Sequence, residues 1–177
     1  CDPQLVKNTP IPASMERAKM AATIEDITRS LDDILSLARV GRPSDPREPT
    51  ELSAMVASVV EEYEDMGEPV TLAETQRLVL SLRPTWLRRA LRNLIGNALR
   101  YGQHARVSMA RVGDMALIRI EDDGPGIPSE DLPRIFDPFY TTKLGQGGTG
   151  LGMYIVHNIV TELLGGQISV ESSPGQG

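Results

Sequence analysis

Apolar residues recur along this chain first at helical spacing and later in alternation. Met20, Ile24, Ile27, Leu31, Ile34 and Ala38 are separated by 4, 3, 4, 3 and 4 positions, which is a heptad seam, widened by Leu35. With Ser14 as cap and Arg39 near the far end, the pattern predicts a helix over 14–40. Each large apolar side chain on the seam is worth about 1.5–3 kcal/mol when buried, so the helix needs a partner. So strict a seam favours self-association in a coiled coil or bundle over packing on its own domain.

After Gly41 the pattern changes. Thr50 is placed to cap a helix over Glu51–Asp65 with Leu52, Met55, Val56, Val59, Val60 and Tyr63 on one side and Gly67 at its end. Val70–Leu72 and Leu78–Leu82 read as short strands around a turn. Pro84 suits the first turn of a helix to Tyr101, with Leu87, Ala90, Leu91, Leu94, Ile95 and Ala98 as its core positions. Strands over 105–112 and 115–121 follow, joined by Gly113 and Asp114, a short hairpin signal. Residues 129–135 make one helical turn. A helix from Gly150 to Leu164 ends at Gly165 or Gly166, and 167–171 reads as a closing strand.

Prolines set the boundaries. Residues 1–13 carry three and no period, which predicts a flexible arm; 41–49 carry three more and predict a linker. The expected organisation is an arm at 1–13, a dimerisation helix at 14–40, a linker at 41–49 and one α/β domain at 50–177. A net charge of −6 over 177 residues argues against a broadly basic nucleic-acid surface, so a bound polyphosphate has to be held by a few local cations. Cys1 is the only cysteine, which excludes an intrachain disulfide. No apolar run approaches the about 20 residues of a membrane helix. A chain that opens on Cys reads as a fragment of something longer.

Four short stretches carry candidate chemistry. Asn93 and Asn97 lie four apart, on one helix face, beside Leu94 and Ile95; the pair serves either a polar site or plain solvation. Asp122, Asp123, Gly124, Pro125, Gly126 and Ile127 end a strand, and form either a pocket-directed carboxylate or an acidic turn. Phe136, Phe139 and Tyr140 bring three of the six Phe and Tyr residues into five positions, an anchor for a mobile flap. Gly147, Gly148, Gly150 and Gly152 run into an apolar helix, whose free N–H groups suit phosphate, although such turns are common in proteins.

Taken in this order, residues 93–98, 122–127, 136–140 and 148–152 closely resemble the N, G1, F and G2 boxes of sensor histidine kinases. These belong to the Bergerat-fold superfamily shared with gyrase, Hsp90 and MutL. The resemblance covers about Thr50 to Gly177, and the heptad helix resembles the second helix of the family's dimerisation and phosphoacceptor hairpin. It implies a two-layer α/β sandwich, a mixed sheet with three helices on one face, holding ATP and Mg²⁺ under a lid over about 137–149. Asn97 would ligate Mg²⁺ through its amide oxygen, and Asn93 would support the same region. Arg100 and Lys143 would supply positive charge. Tyr101 would pack on the nucleoside, and Asp122 would accept a hydrogen bond from the adenine amino group. Gly124 and Gly126 would leave room for the base, beside Ile127. Gly148, Thr149, Gly150, Leu151 and Gly152 would line the phosphates.

Hydrolysing members of the superfamily carry a glutamate base where Asn93 stands. An amide there favours transfer of the γ-phosphoryl to a protein nucleophile, with Asn93, Asn97 and Lys143 as the catalytic set. The family's acceptor is a histidine on a hairpin helix preceding 14–40. Neither His104, in a loop, nor His157, among apolar helix neighbours, reads as that acceptor. Residues 173–177 stop where the family continues into a last strand. The resemblance implies a cytoplasmic domain of an inner-membrane parent kinase, partnered by the histidine-bearing hairpin and, through the parent, by a response regulator. The alternatives are an ATP-binding regulatory module that transfers nothing, and an anti-sigma-type serine kinase, which has no need of the heptad helix. An oligomer through residues 20–38 is expected: light scattering at tens of micromolar is predicted to return more than the monomer mass.

Overall fold

The computed structural model describes residues 46–142 and 149–175, together with Met20, Ile24, Thr28 and Leu35. Those four are helical and exposed, and Thr28 donates its hydroxyl to the Ile24 carbonyl at 2.8 Å. The rest of the predicted seam lies outside the described residues.

The domain begins with strand β1 (Glu48–Glu51) and helix α1 (Leu52–Asp65), followed by β2 (Val70–Thr75) and β3 (Val79–Leu82). Helix α2 (Pro84–Tyr101) leads into the hairpin β4 (Ala105–Val112) and β5 (Met115–Asp122). A 3₁₀ turn at Leu132–Arg134 precedes helix α3 (Gly152–Asn158), which widens into a π turn over Ile159–Leu164 and stops at Gly165, φ 71°. The main sheet is mixed, in the order β2-β4-β5, with β2 parallel to β4 and β4 antiparallel to β5. β1 and β3 form a separate antiparallel pair.

Alternation in β4 decides which face of the sheet is covered. Ala105, Val107 and Met109 are buried, while Arg106 on the other face is exposed and Ser108 and Ala110 are only half-buried. Against the covered face pack Leu52, Val56, Val59 and Val60 of α1 and Leu87, Leu91, Ile95 and Ala98 of α2. A second cluster joins Trp86 and Ala90 of α2 to Leu151, Ile155, Val156 and Ile159. Leu164 packs on both clusters, so α3 reaches the sheet side through the end of its π turn and otherwise leans on α2. The result is the predicted sandwich: a mixed sheet with its helices on one face.

Several local expectations are corrected. Thr50 does not cap α1. It lies in β1, paired with Leu80, and its hydroxyl donates to the Glu48 carbonyl. The longer Glu51 side chain does the capping, accepting from the N–H of Ser53 at 3.1 Å and of Ala54 at 2.9 Å. Hydrogen bonds, first that of the Ser53 hydroxyl, lower its pKa. The domain's first strand therefore starts at Glu48, inside the stretch expected to be linker. β2 and β3 do not pair with each other: β2 takes the parallel place beside β4, and β3 pairs with β1. The strand expected at 167–171 joins no ladder, and among the described residues nothing pairs with the outer edge of β5. Instead Gly175 donates its N–H to the Pro125 carbonyl and Ile168 packs on the α3 cluster.

Ile95 is 1% exposed and central to the sheet-side core. Truncation in Ile95→Ala is predicted to cost about 2–5 kcal/mol, read as a lower urea midpoint at unchanged slope.

Candidate functional site

α2 is the element that carries the candidate site. Its apolar residues are divided between the sheet and α3, which leaves a narrow polar stripe at Asn93 and Asn97, one turn apart. The stripe does not face open water. Both side chains are half-buried, and the Asn93 Nδ2 is fully buried with no hydrogen-bond partner. An amide N–H left in that state costs about 1–3 kcal/mol, which a ligand oxygen would remove. Asn97 lies against the start of α3: a side-chain carbon built on Gly152 would stand 3.8 Å from its Nδ2 and 4.0 Å from its Oδ1. The helix mouth and the second amide are therefore adjacent.

The carboxylate of Asp122 arrives at the same end of α2. Its Oδ1 accepts the Gly124 N–H at 2.9 Å, curling the loop back on itself. The loop then sits on the last turn of α2: a Cβ on Gly124 would be 3.1 Å from the Tyr101 carbonyl oxygen, and one on Gly102 would be 3.1 Å from the Asp122 Cβ. Asp123 fastens the junction by accepting the N–H groups of Gln103 at 2.6 Å and His104 at 2.8 Å. The His104 N–H, then that of Gln103, holds its carboxyl below the ordinary carboxylate range. That stabilisation is present above the ordinary carboxylate pKa and fades as pH falls through the lowered native value. Tyr101 and Asp122 are thus neighbours, with Asn97 one helical turn behind Tyr101 and Arg100 half-buried between.

The glycines have different neighbours from those expected. The space a side chain would need at Gly126, φ 74°, is taken by the Ser173 carbonyl. Ile127 beside it donates its N–H to the Ser172 hydroxyl at 2.8 Å. At Gly124 the same space is taken by Asp122 and the Tyr101 backbone. At both positions the absent side chain lets neighbouring groups close on the glycine. Gly150 behaves likewise. It adopts φ 68°, and a Cβ there would run into the backbone of Phe139, 2.7 Å from its carbonyl oxygen. Among the described site glycines, Gly152 alone has its neighbours, the Asn97 amide atoms, at ordinary van der Waals distance.

Phe139 is itself at φ 66°, with a side chain 71% exposed. Around it, Arg134 lies 4.5 Å from the centroid of the Tyr140 ring and 3.8 Å from the Asp137 carboxylate. A hydrogen bond to Asp131 raises the Tyr140 hydroxyl pKa. Phe136 meets the His157 ring at 5.1 Å between centroids, tilted by 46°, so His157 is a packing residue. Thr149 accepts the Leu151 N–H on its hydroxyl at 3.2 Å, and Leu151 is buried among Trp86, Ala90 and Ile155. Of the predicted set, Lys143 and Gly148 lie outside the described residues. Sequence reasoning missed Trp86, four positions before Ala90 on the α3-facing stripe, and Ser172; the first was visible as helical spacing, while the second had no local signal.

Residues 82–177 match the family described as histidine kinase-, DNA gyrase B- and HSP90-like ATPases. The alginate biosynthesis sensor protein KinB of Pseudomonas aeruginosa is 42% identical over 101 residues, 55% of this chain and 17% of that protein. The sensor protein RstB of Escherichia coli is 32% identical over 174 residues, 91% of this chain and 39% of that protein. The chain therefore spans well under half the length of these relatives. Among solved structures, full-length ShkA in complex with AMPPNP superposes with a TM-score of 0.70 at 23% identity, covering 96% of this chain and 38% of that one.

The contact between Gly150 and Phe139 generates a stability prediction. Gly150→Ala forces an L side chain into φ 68° and into backbone, and is predicted to destabilise by more than about 1 kcal/mol. A thermal midpoint equal to that of the parent would show that the contact does not form.

Proposed function

The chain belongs to the histidine kinase-, DNA gyrase B- and HSP90-like ATPase family, and on that premise we propose that it is the catalytic, ATP-binding part of a sensor histidine kinase. It binds Mg·ATP at the end of α2 and donates the γ-phosphoryl to a histidine on a dimerisation hairpin of the parent. The observation that carries the reading is the polar stripe of α2, with a buried, unpartnered amide N–H at Asn93 and the Asn97 amide against the glycine start of α3.

The donor set suits the metal. Mg²⁺ that arrives on its polyphosphate needs few protein ligands, and an amide oxygen is a hard donor of the kind it takes. Mg²⁺, when bound, screens the charge of the phosphate oxygens. Asn97 is the residue to offer it an amide oxygen, and Asn93 Nδ2 is free to donate to a phosphate oxygen. Arg100 and Lys143 supply cationic charge to an otherwise acidic chain. Asp122 accepts from an exocyclic amino group, which selects adenine over guanine, since guanine presents a carbonyl there. Tyr101 packs on the nucleoside. The N–H groups of Gly150 and Gly152, with Gly148 and Thr149 before them, serve the phosphates, while that of Leu151 is held by the Thr149 hydroxyl.

Asn93 also bears on the outcome. An amide has no useful basicity, so the stripe positions and neutralises without activating water, which suits transfer to an incoming nucleophile. Imidazole, neutral near physiological pH, is such a nucleophile. The hairpin, a response regulator acting through the parent, and a homo-oligomer through residues 20–38 are the partners this reading implies. No helix among the described residues is long and apolar enough to cross a membrane.

Two measurements test the proposal. Transfer from labelled ATP to an added hairpin fragment is expected to give an acid-labile product; an acid-stable product, or none, contradicts it. Asn97→Ala is predicted to weaken Mg·ATP binding by about 10–100-fold in calorimetry while leaving the unfolding midpoint near that of the parent.

A further inference from the structure

The face of α2 turned away from Asn93 and Asn97 is held by α1. Two successive residues of α1, Glu62 and Tyr63, reach across to it. Glu62 pairs through one oxygen with Arg88 at 2.9 Å and through the other with Arg92 at 2.8 Å, so one carboxylate spans a full turn of α2. Arg88 also donates to the Ser58 hydroxyl at 3.3 Å. Tyr63 donates its hydroxyl to the backbone carbonyl of Arg92 at 2.9 Å. That carbonyl lies in the middle of the helix and also faces the Gly96 N–H, four residues on. Gly96 lies beside the approach: a Cβ there would stand in ordinary van der Waals contact with the Tyr63 hydroxyl, at 3.5 Å. The gripped turn, 92–96, is the one that carries Asn93 and immediately precedes Asn97.

We propose that Tyr63, backed by Glu62, is a positioning residue that sets the rotation and height of α2 and so aims the Asn93 and Asn97 amides; this rests on the reading of the site as a Mg·ATP pocket. Apolar packing on the sheet resists separation of the helix but only weakly resists small rolls, because hydrophobic contact is non-directional. A hydrogen bond to a backbone carbonyl is directional. At the roughly 5–6 Å radius of a helical side chain, a roll of about ten degrees carries an amide about 1 Å, enough to spoil metal and phosphate geometry. The ion pairs are half-exposed and screened, so they contribute direction more than energy. Asp122 sits on a strand end and the following loop, outside the grip of α1. Because the Asp122 loop rests on Tyr101 at the far end of the helix, beyond the gripped turn 92–96, the grip bears first on the phosphate end of the ligand and less on the base end.

That difference gives the test. The affinity of a fluorescent ATP analogue is measured with and without Mg²⁺ for the parent chain, Tyr63→Phe, Glu62→Gln and Glu62→Ala. Tyr63→Phe keeps the ring and removes only the hydroxyl. It is expected to reduce the Mg²⁺-dependent gain in affinity by about three- to tenfold, with the Mg²⁺-free affinity and the melting temperature unchanged. Glu62→Gln is expected to retain more of the gain than Glu62→Ala. An unchanged gain in Tyr63→Phe overturns the proposal, as does a parallel fall in both affinities together with stability. If the parent itself shows no Mg²⁺-dependent gain, the Mg·ATP reading has failed. The positioning claim is then decided in the free protein by nitrogen-15 relaxation of the Asn93 and Asn97 side-chain amides: new exchange broadening in Tyr63→Phe upholds it, and unaltered relaxation overturns it.

Discussion

Enclosure of α2 is the constraint on which the rest of the structure depends. Eighteen residues from Pro84 to Tyr101 are pressed between the sheet, α1 and α3. Leu87, Leu91, Ile95 and Ala98 meet the sheet-side core, Trp86 and Ala90 meet α3, and Arg88, Arg92 and Gly96 meet the polar edge of α1. Asn93 and Asn97 are left on the remaining strip. In water the strip would be unremarked, because asparagine is only a mediocre helix residue. Half-buried beside the opening of α3, it becomes a pair of aimed amides, one of them carrying an unpaired N–H.

The same helix organises the other half of the candidate pocket from its C-terminal end. Gly102 and Gly124 allow the β5 loop to settle on Tyr101, so the Asp122 carboxylate is referenced to the axis that carries the amides. The Ser172–Gly175 stretch then straps that loop from outside through Ile127 and Pro125. Glycine at 124, 126 and 150 thus permits close chain-to-chain contact.

Much of this was legible in the sequence. The stripes of α1 and α2, the hairpin around Gly113 and Asp114, and the αL stop at Gly165 follow from local periodicity and turn chemistry. Strand partners were not legible: Val70–Thr75 is closer in sequence to Val79–Leu82 than to Ala105–Val112, yet pairs with the latter, because a parallel ladder is chosen by what α2 brings back to the sheet. The cap of α1 was misplaced by one residue, since Thr50 is committed to β1 and the longer Glu51 reaches the free N–H groups. At the site, the residue types were readable from motif and spacing. The neighbours of the glycines were not, because they come from other elements: Tyr101 for Gly124, Phe139 for Gly150 and Ser173, 47 positions away, for Gly126.

The family assignment is carried by residues 82–177, and the claim most exposed to refutation is that the α2 amides, the Asp122 loop and the mouth of α3 surround one nucleotide. Titration of the nitrogen-15-labelled chain with a non-hydrolysable Mg·ATP analogue, followed residue by residue, measures this directly. The account predicts that the largest shifts fall together on Asn93 and Asn97, on Asp122 to Gly126, and on Thr149 to Gly152. Shifts that instead gather on the solvent face of the sheet, around Arg106 and Arg119, or that reach only one of the three groups, would contradict it.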